Sequence, residues 1–263
     1  MTIAIVLLGI LVGSFLNVVI VRLPKEESIV YPSSHCVNCN QELKAMDLIP
    51  VISYVRQCGK CRYCGCNISP QYIVVELLMG FLTWISFYKY GLSIEFVGSF
   101  LLEGILVVTA FIDLEHKIIP DELVVAGTAV GVILNIYSFF GKVLFYDVWY
   151  SPVVGMFLAS GVLYVMSWVG GIVFKTDEAI GLGDIKLFIP IGIILGYKLS
   201  MIALMMSILL GGVYGICIVL KNKKNLRKEV PFAPFISVGT IMAMYWGYDI
   251  INWYITIMVG GRF

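Results

Sequence analysis

Gly181-Leu182-Gly183-Asp184-Ile185-Lys186-Leu187-Phe188-Ile189-Pro190-Ile191-Gly192-Ile193-Ile194-Leu195-Gly196-Tyr197 sets a carboxylate at the mouth of an apolar run that carries no charge after Lys186. An ionisable group at that place is costly in lipid unless it has a use, so the stretch reads as a membrane span opening on a functional residue. Comparable runs cover 3–21, 71–88, 94–112, 123–140, 152–174, 185–197, 199–220 and 232–259. At about 20 residues for about 30 Å of hydrocarbon most are long enough to cross, the sixth is short, and the last has length to spare. With 60% hydrophobic and 13% charged residues and a mean hydropathy of +0.94, the chain lies outside the range of soluble domains. The expected fold is an all-α polytopic membrane protein of about eight transmembrane helices.

The net charge of +1 argues against nucleic acid as a partner. Orientation follows from where the basic residues lie. With the N-terminus outside, only Lys89, Lys142, Lys198 and Arg262 of the 18 Lys and Arg fall on the outer side, as the positive-inside rule favours. The first span has no basic residue before it and Arg22 and Lys25 after it, so it reads as a retained anchor rather than a signal peptide. Three parts result: the first helix at 1–21, a polar cytoplasmic segment at 22–70, and a bundle at 71–263. No internal repeat is evident.

The polar segment holds six of the seven cysteines. Cys36-Val37-Asn38-Cys39 and Cys61-Arg62-Tyr63-Cys64 are two C-x-x-C pairs, each able to put two thiolates on one tetrahedral ion. A small segment with little apolar core gains from such a clamp, and a reducing cytoplasm disfavours disulfides. Structural zinc on Cys36, Cys39, Cys61 and Cys64 is the expectation. Cys58 forms a further C-x-x-C with Cys61 and Cys66 lies close by, so the ligand set could shift by one partner. Cys217, in an apolar span, reads as a packing residue.

Asp113 closes the third span and Asp184 opens the sixth, so the two share one membrane face, the cytoplasmic one. Two neighbouring carboxylates holding one proton suit peptide hydrolysis: one acts as base toward water while the other protonates the scissile carbonyl oxygen. The glycines before Asp184 would let an extended strand approach. Taken singly, Asp184 could be a helix cap and Asp113 an interfacial residue paired with Lys117 or His116, while Glu115 and Asp121 rival Asp113 on chemistry alone. Asn17, Glu76 and Glu103 lie within spans and should face the bundle interior, with a basic residue such as Arg22 the expected partner of Glu76 and none evident in the sequence for Glu103. His35 and His116 read as surface residues.

The ordered set Gly13-Ser14-Phe15-Leu16-Asn17 through Pro24, the paired cysteines, Ile49-Pro50-Val51-Ile52-Ser53, Ile112-Asp113 through Pro120-Asp121, Gly181-Leu182-Gly183-Asp184 and Pro231-Phe232-Ala233-Pro234 resembles the bacterial prepilin peptidases over most of the chain. That resemblance implies a membrane aspartic endopeptidase that removes the leader of type IV prepilins or pseudopilins after a glycine, on the cytoplasmic side of the bacterial inner membrane. It assigns catalysis to Asp113 and Asp184 and makes Glu115, Asp121 and Glu178 bystanders. It also implies methylation of the new N-terminus with S-adenosylmethionine, Gly59 matching a position associated with methyl transfer; as residues alone, Gly59 reads equally as a turn glycine. Lys44-Ala45-Met46-Asp47-Leu48 departs from the family pattern and Cys58 and Cys66 add to it, whereas the aspartate motifs are intact. From other classes, a carboxylate-using transporter and a noncatalytic zinc-bearing scaffold are the rivals, although no paired repeat of the transporter kind is visible.

Overall fold

The computed structural model describes residues 1–139, 145–146, 148–174, 181–221 and 230–259. Among these there are eight α-helices: α1 (Thr2–Arg22), α2 (Ile52–Arg56), α3 (Gln71–Tyr90), α4 (Ile94–His116), α5 (Asp121–Phe139), α6 (Ser151–Phe174), α7 (Leu182–Lys221) and α8 (Ala233–Val259). Six of them, α1 and α3 to α7, are long and apolar enough to cross a membrane. A helix satisfies its own backbone polar groups, which is what lipid demands of a spanning segment. α8, at 27 residues, has the length but is not among those six. Each of the eight expected spans is helical, the sixth and seventh forming the two halves of α7.

α7 is not one rod. At Gly196 the backbone leaves the helical region (φ 74°, ψ 175°), a conformation that suits glycine. Before the break, Pro190 and Ile193 meet Gly127 and Gly131 of α5, so the first half runs with α5. Beyond it, Leu199 meets Gly247, Ser207 meets Gly239 and Gly211 meets Phe232, so the second half runs against α8. α8 starts at the end of α4, where Ala233 N–H bonds Asp113, and α5 starts just after α4. The two halves of α7 therefore form a hairpin whose closed end is Gly196, and the Tyr197 N–H is taken by the Ser151 hydroxyl there at 3.2 Å.

By packing, the chain divides into two compact units, Met1–Phe96 and Val97–Phe263. In the smaller unit α1 lies against α3, with Gly9 on Thr83, Gly13 on the backbone of Glu76 and Gly80 on Ile10. In the larger unit α6 and α7 touch backbone to backbone at Gly155 and Gly192, the small-residue packing that lets membrane helices approach closely. Asn17, Glu76 and Glu103 are buried as expected. Glu103 receives the hydroxyl of Tyr245, joining α4 to α8. Arg22 does not pair with Glu76: its guanidinium donates to the carbonyls of Ser28 and Ser33, 2.9 and 3.4 Å away, where the chain turns off α1. Cys217 lies on the exposed face of α7 rather than in a packing seam.

A Cβ on Gly192 would meet the Gly155 carbonyl carbon at 2.4 Å, whereas one on Gly161 meets nothing within 4 Å. Gly192→Ala should therefore destabilise the detergent-solubilised protein by about 1–3 kcal/mol, and Gly161→Ala should be neutral or stabilising by up to about 1 kcal/mol. Thermal unfolding of the two variants beside wild type checks both.

Candidate active site and cysteine cluster

Asp113 sits in the last turn of α4, only 6% exposed. Backbone N–H groups at the start of α8 hold its carboxylate: Ala233 donates at 2.9 Å, with Phe232 beside it. Pro231 and Pro234 bracket that pair; the first N–H groups of a helix have no intrahelical partner, which leaves those of Phe232 and Ala233 to meet a carboxylate. After Asp113 the chain makes a further turn, the Lys117 N–H bonding the Asp113 carbonyl at 3.0 Å with Lys117 at φ 56°.

Asp184 reaches the same place from the first turn of α7. It is half-buried and senses the charge of Asp113. Two contacts fix the register. Gly183 packs on Ile119, where a Cβ would come within 3.0 Å, and Lys186 Nζ pairs with Asp121 at 2.7 and 3.0 Å. α7 begins at Leu182, so Asp184 stands inside the helix and is not its cap. Of the rival carboxylates, Asp121 is taken up by Lys186, Glu115 is exposed, and Glu178 lies outside the described residues, as do its neighbours from 175 to 180. The backbone donors on Asp113 were not legible beforehand; the Pro-x-x-Pro signature at 231–234 was the available signal.

In the polar segment two knuckles repeat each other. Asn40 N–H bonds the Cys36 carbonyl at 2.8 Å and Gly65 N–H bonds the Cys61 carbonyl at 2.9 Å, with Asn40 and Gly65 both at positive φ. Each knuckle closes on an isolated bridge, His35 with Glu42 and Lys60 with Asn67. The repeat was invisible as sequence because only the cysteines and the left-handed turn residue must recur. The sulfurs of Cys36, Cys39, Cys61 and Cys64 lie within 4.8 Å of one another, a cluster that could hold a metal ion. A tetrahedral zinc with Zn–S of about 2.3 Å needs sulfurs about 3.8 Å apart, and Cys36 and Cys64 are 3.8 Å apart. Cys58 is exposed and outside the group. Cys66 is the extra thiol that touches it, 3.3 Å from Cys64 and 3.6 Å from Cys36.

The thiols differ in acidity. The backbone N–H and thiol of Cys66 hold Cys64 down at about 6. The N–H groups of Cys39 and Asn38 lower Cys36. Cys66 is pushed up to about 12 by Cys64 and Cys36. Cys39 is drawn down by the Gln41 N–H, but burial and its thiol neighbours outweigh that and raise it to about 11. Gly59 is a turn residue with φ 67°, where a Cβ would approach the Tyr54 hydroxyl to 3.1 Å. Next to it a polar hollow of about 270 Å³ is lined by Asp47, Arg56, Gln57, Lys60 and Arg62. Its Asp47 takes the Tyr63 hydroxyl at 3.0 Å and the Gln57 amide at 3.4 Å.

Residues 7–90 match the bacterial peptidase A24 N-terminal domain, and residues 100–216 match the type IV leader peptidase family. A prepilin leader peptidase/N-methyltransferase of Bacillus subtilis is 32% identical over 96% of this chain and 97% of its own. Proteins of the same name from Aeromonas salmonicida and Legionella pneumophila are each 30% identical, covering 96% and 95% of this chain and 93% and 92% of theirs. No solved structure matches the chain.

The thiolate is the nucleophile, so a low thiol pKa means more reactive sulfur at neutral pH. In metal-stripped protein at pH 7, iodoacetamide should modify Cys64 well before Cys39 or Cys66, and prior metal loading should protect it. Timed labelling read by peptide mass spectrometry gives the order; equal rates at the three sites would contradict it.

Proposed function

The chain belongs to the type IV leader peptidase family, and from that membership we propose that Asp113 and Asp184 are the pair with which it cuts the leader from type IV prepilins or pseudopilins after a glycine. It is an inner-membrane protein of several apolar helices that also methylates the N-terminus it exposes. The observation carrying the assignment is the convergence of two carboxylates from α4 and α7, one buried on backbone donors and the other on a glycine-flanked helix start. Family membership also sets aside the transporter and scaffold readings.

In this reading the pair works with one proton between its members. One carboxylate takes a proton from a water as that water attacks the scissile carbonyl, and the other gives its proton to the carbonyl oxygen. On collapse of the tetrahedral species the first group protonates the leaving amine while a hydroxyl of that species returns its proton to the second as the new carbonyl forms, and the pair is restored. Asp113, fixed by the α8 backbone, keeps its orientation through the cycle. Gly181, exposed beside Asp184, leaves room for an extended substrate strand, while Gly183 is taken up by its contact with Ile119. The distribution of Lys and Arg supports a site that opens on the cytoplasm.

Cys36, Cys39, Cys61 and Cys64 would hold zinc as a structural ion, joining two knuckles that bury little apolar surface of their own. S-adenosylmethionine supplies an electrophilic methyl group to the new amine. The hollow beside Gly59 suits part of such a donor: Arg56 and Lys60 offer cations to a carboxylate, Arg62 lies 3.8 Å from Asp47, and Gly59 shapes the turn that presents Lys60.

Asp113→Asn and Asp184→Asn should each lower cleavage of a pilin precursor by about 10²–10⁴-fold, the usual scale for an acid or base lost, while a precursor supplied already cleaved is still methylated. Mass spectrometry of the product N-terminus reads both activities, and cleavage persisting in either variant would overturn the assignment. Elemental analysis should find one zinc per chain, lost in Cys36→Ser and Cys64→Ser and kept in Cys66→Ser; loss in Cys66→Ser would move the ligand set.

A further inference from the structure

The most strained backbone in the polar segment is at Val51. Its φ of 62° and ψ of −52°, with the Ile52 N–H on the Pro50 carbonyl at 2.6 Å, define a γ-turn of the rare positive-φ kind, here on a β-branched residue. Such a conformation persists only where its surroundings over-determine it. What holds it is Glu76: the Val51 N–H donates to its carboxylate at 2.7 Å, a charge-assisted bond from the polar segment to the second turn of α3.

Glu76 is only 6% exposed, and its carboxyl also bonds the Ser14 hydroxyl of α1. The packing of α1 on α3 does not need a carboxylate, since Gly9, Gly13 and Gly80 already bring the two backbones together. Asn17 ties the first turn of α3 separately, its amide donating to the Tyr72 carbonyl at 3.0 Å. What Glu76 alone does is fix the turn at Val51. That turn is the start of α2, and α2 runs directly into Arg56 and Gln57, two walls of the polar hollow.

We propose that Glu76 is a positioning residue for methyl transfer: by clamping the Val51 turn it aims α2 and sets Arg56 and Gln57 against Asp47 in the hollow. The inference rests on the methyltransferase reading above and adds to it a residue in a membrane helix that touches neither amine nor methyl donor. Its logic is geometric. A carboxylate anchored between α1 and α3 is a fixed point, the strained turn transmits that point to a helix of five residues, and the helix is too short to hold its direction unaided.

The test uses the full-length, zinc-loaded protein in detergent, with cleavage and methylation of one pilin precursor measured in parallel. Glu76→Ala should lower methyl transfer at least tenfold and leave cleavage within twofold. Glu76→Gln, which keeps an acceptor for the Val51 N–H, should lose no more than about threefold. Val51→Gly adopts positive φ without strain, so the double variant Glu76→Ala/Val51→Gly should recover much of what Glu76→Ala loses, which a merely destabilised protein would not do. Hydrogen exchange, read without any methyl donor, should show the Val51 and Ile52 amides opening faster in Glu76→Ala and not in Glu76→Gln. Wild-type methylation by Glu76→Ala, a parallel fall in cleavage, or no recovery in the double variant would each overturn the proposal. A wild type that cleaves without methylating would instead sink the methyltransferase reading, the exchange data still reporting whether the clamp exists.

Discussion

The larger unit turns on one buried bond, from the Ala233 N–H at the head of α8 to the carboxylate of Asp113 at the foot of α4. A carboxylate enclosed this way must be met by donors, and unsatisfied helix-start N–H groups are the donors a membrane bundle has to spare. The consequence is topological. α8 must begin where α4 ends, and the chain that leads to it must return to that level. The reversal at Gly196 provides the return, and the same reversal leaves Asp184 at the open end of the hairpin facing Asp113. Serine and glycine make the closed end possible: the Ser151 hydroxyl takes up the Tyr197 N–H where the helix breaks, and Gly155 and Gly192 let α6 lie flush against the first half of α7.

Much of this was legible as sequence because lipid imposes strict rules. Apolar runs of the right length, a charge at a span edge and two C-x-x-C pairs each signal one thing strongly, and all eight helical spans and the four-sulfur group appeared where those signals stood. Pairings between distant residues were not legible. Glu76 with Val51 in place of Arg22, Glu103 with Tyr245, and Asp113 with a backbone N–H from α8 each depend on three-dimensional register, and a backbone donor leaves no residue type to read. The sequence offers Cys58 and Cys66 alike as extra thiols; that Cys66 and not Cys58 touches the cluster follows from the turn at Gly65, which sends the chain back past Cys61 with the Cys61 N–H on the Cys66 carbonyl at 2.8 Å. The shared backbone of the two knuckles escaped notice for a related reason: asparagine and glycine serve the same left-handed position with no common side-chain chemistry.

The two units solve the problem of holding polar chemistry in place by different means. The larger unit has abundant apolar surface, so packing fixes its carboxylates: Gly183 on Ile119 and Gly127 on Pro190 set helix positions to within a methyl group. The polar segment cannot do this, since its described hydrophobic residues are mostly exposed, Val30, Val37, Ile52 and Val55 among them. It relies on strong directional contacts instead, thiolates drawn to one point at one end and a carboxylate on a strained turn at the other. Beside those two anchors lie Arg56, Gln57, Lys60 and Arg62, which line the hollow with Asp47, itself accepting from Gln57 and Tyr63.

On the assignment proposed above, that division makes the two activities separable. A change that loosens the polar segment removes directional contacts used only there, and the aspartate pair, whose every described contact lies within Val97–Phe263, keeps its geometry. Of the departures from the family pattern, Lys44 to Leu48, Cys58 and Cys66 belong to the part held by few, strong contacts, where one altered residue changes a ligand set or a turn, and Ser69 to Tyr72 runs from it into the first turn of α3. The aspartate motifs lie where dozens of weak packing contacts share the load, and there a substitution is felt as a volume error at once. A change in the polar segment is therefore felt as a lost directional contact, and a change beside the aspartates as a volume error.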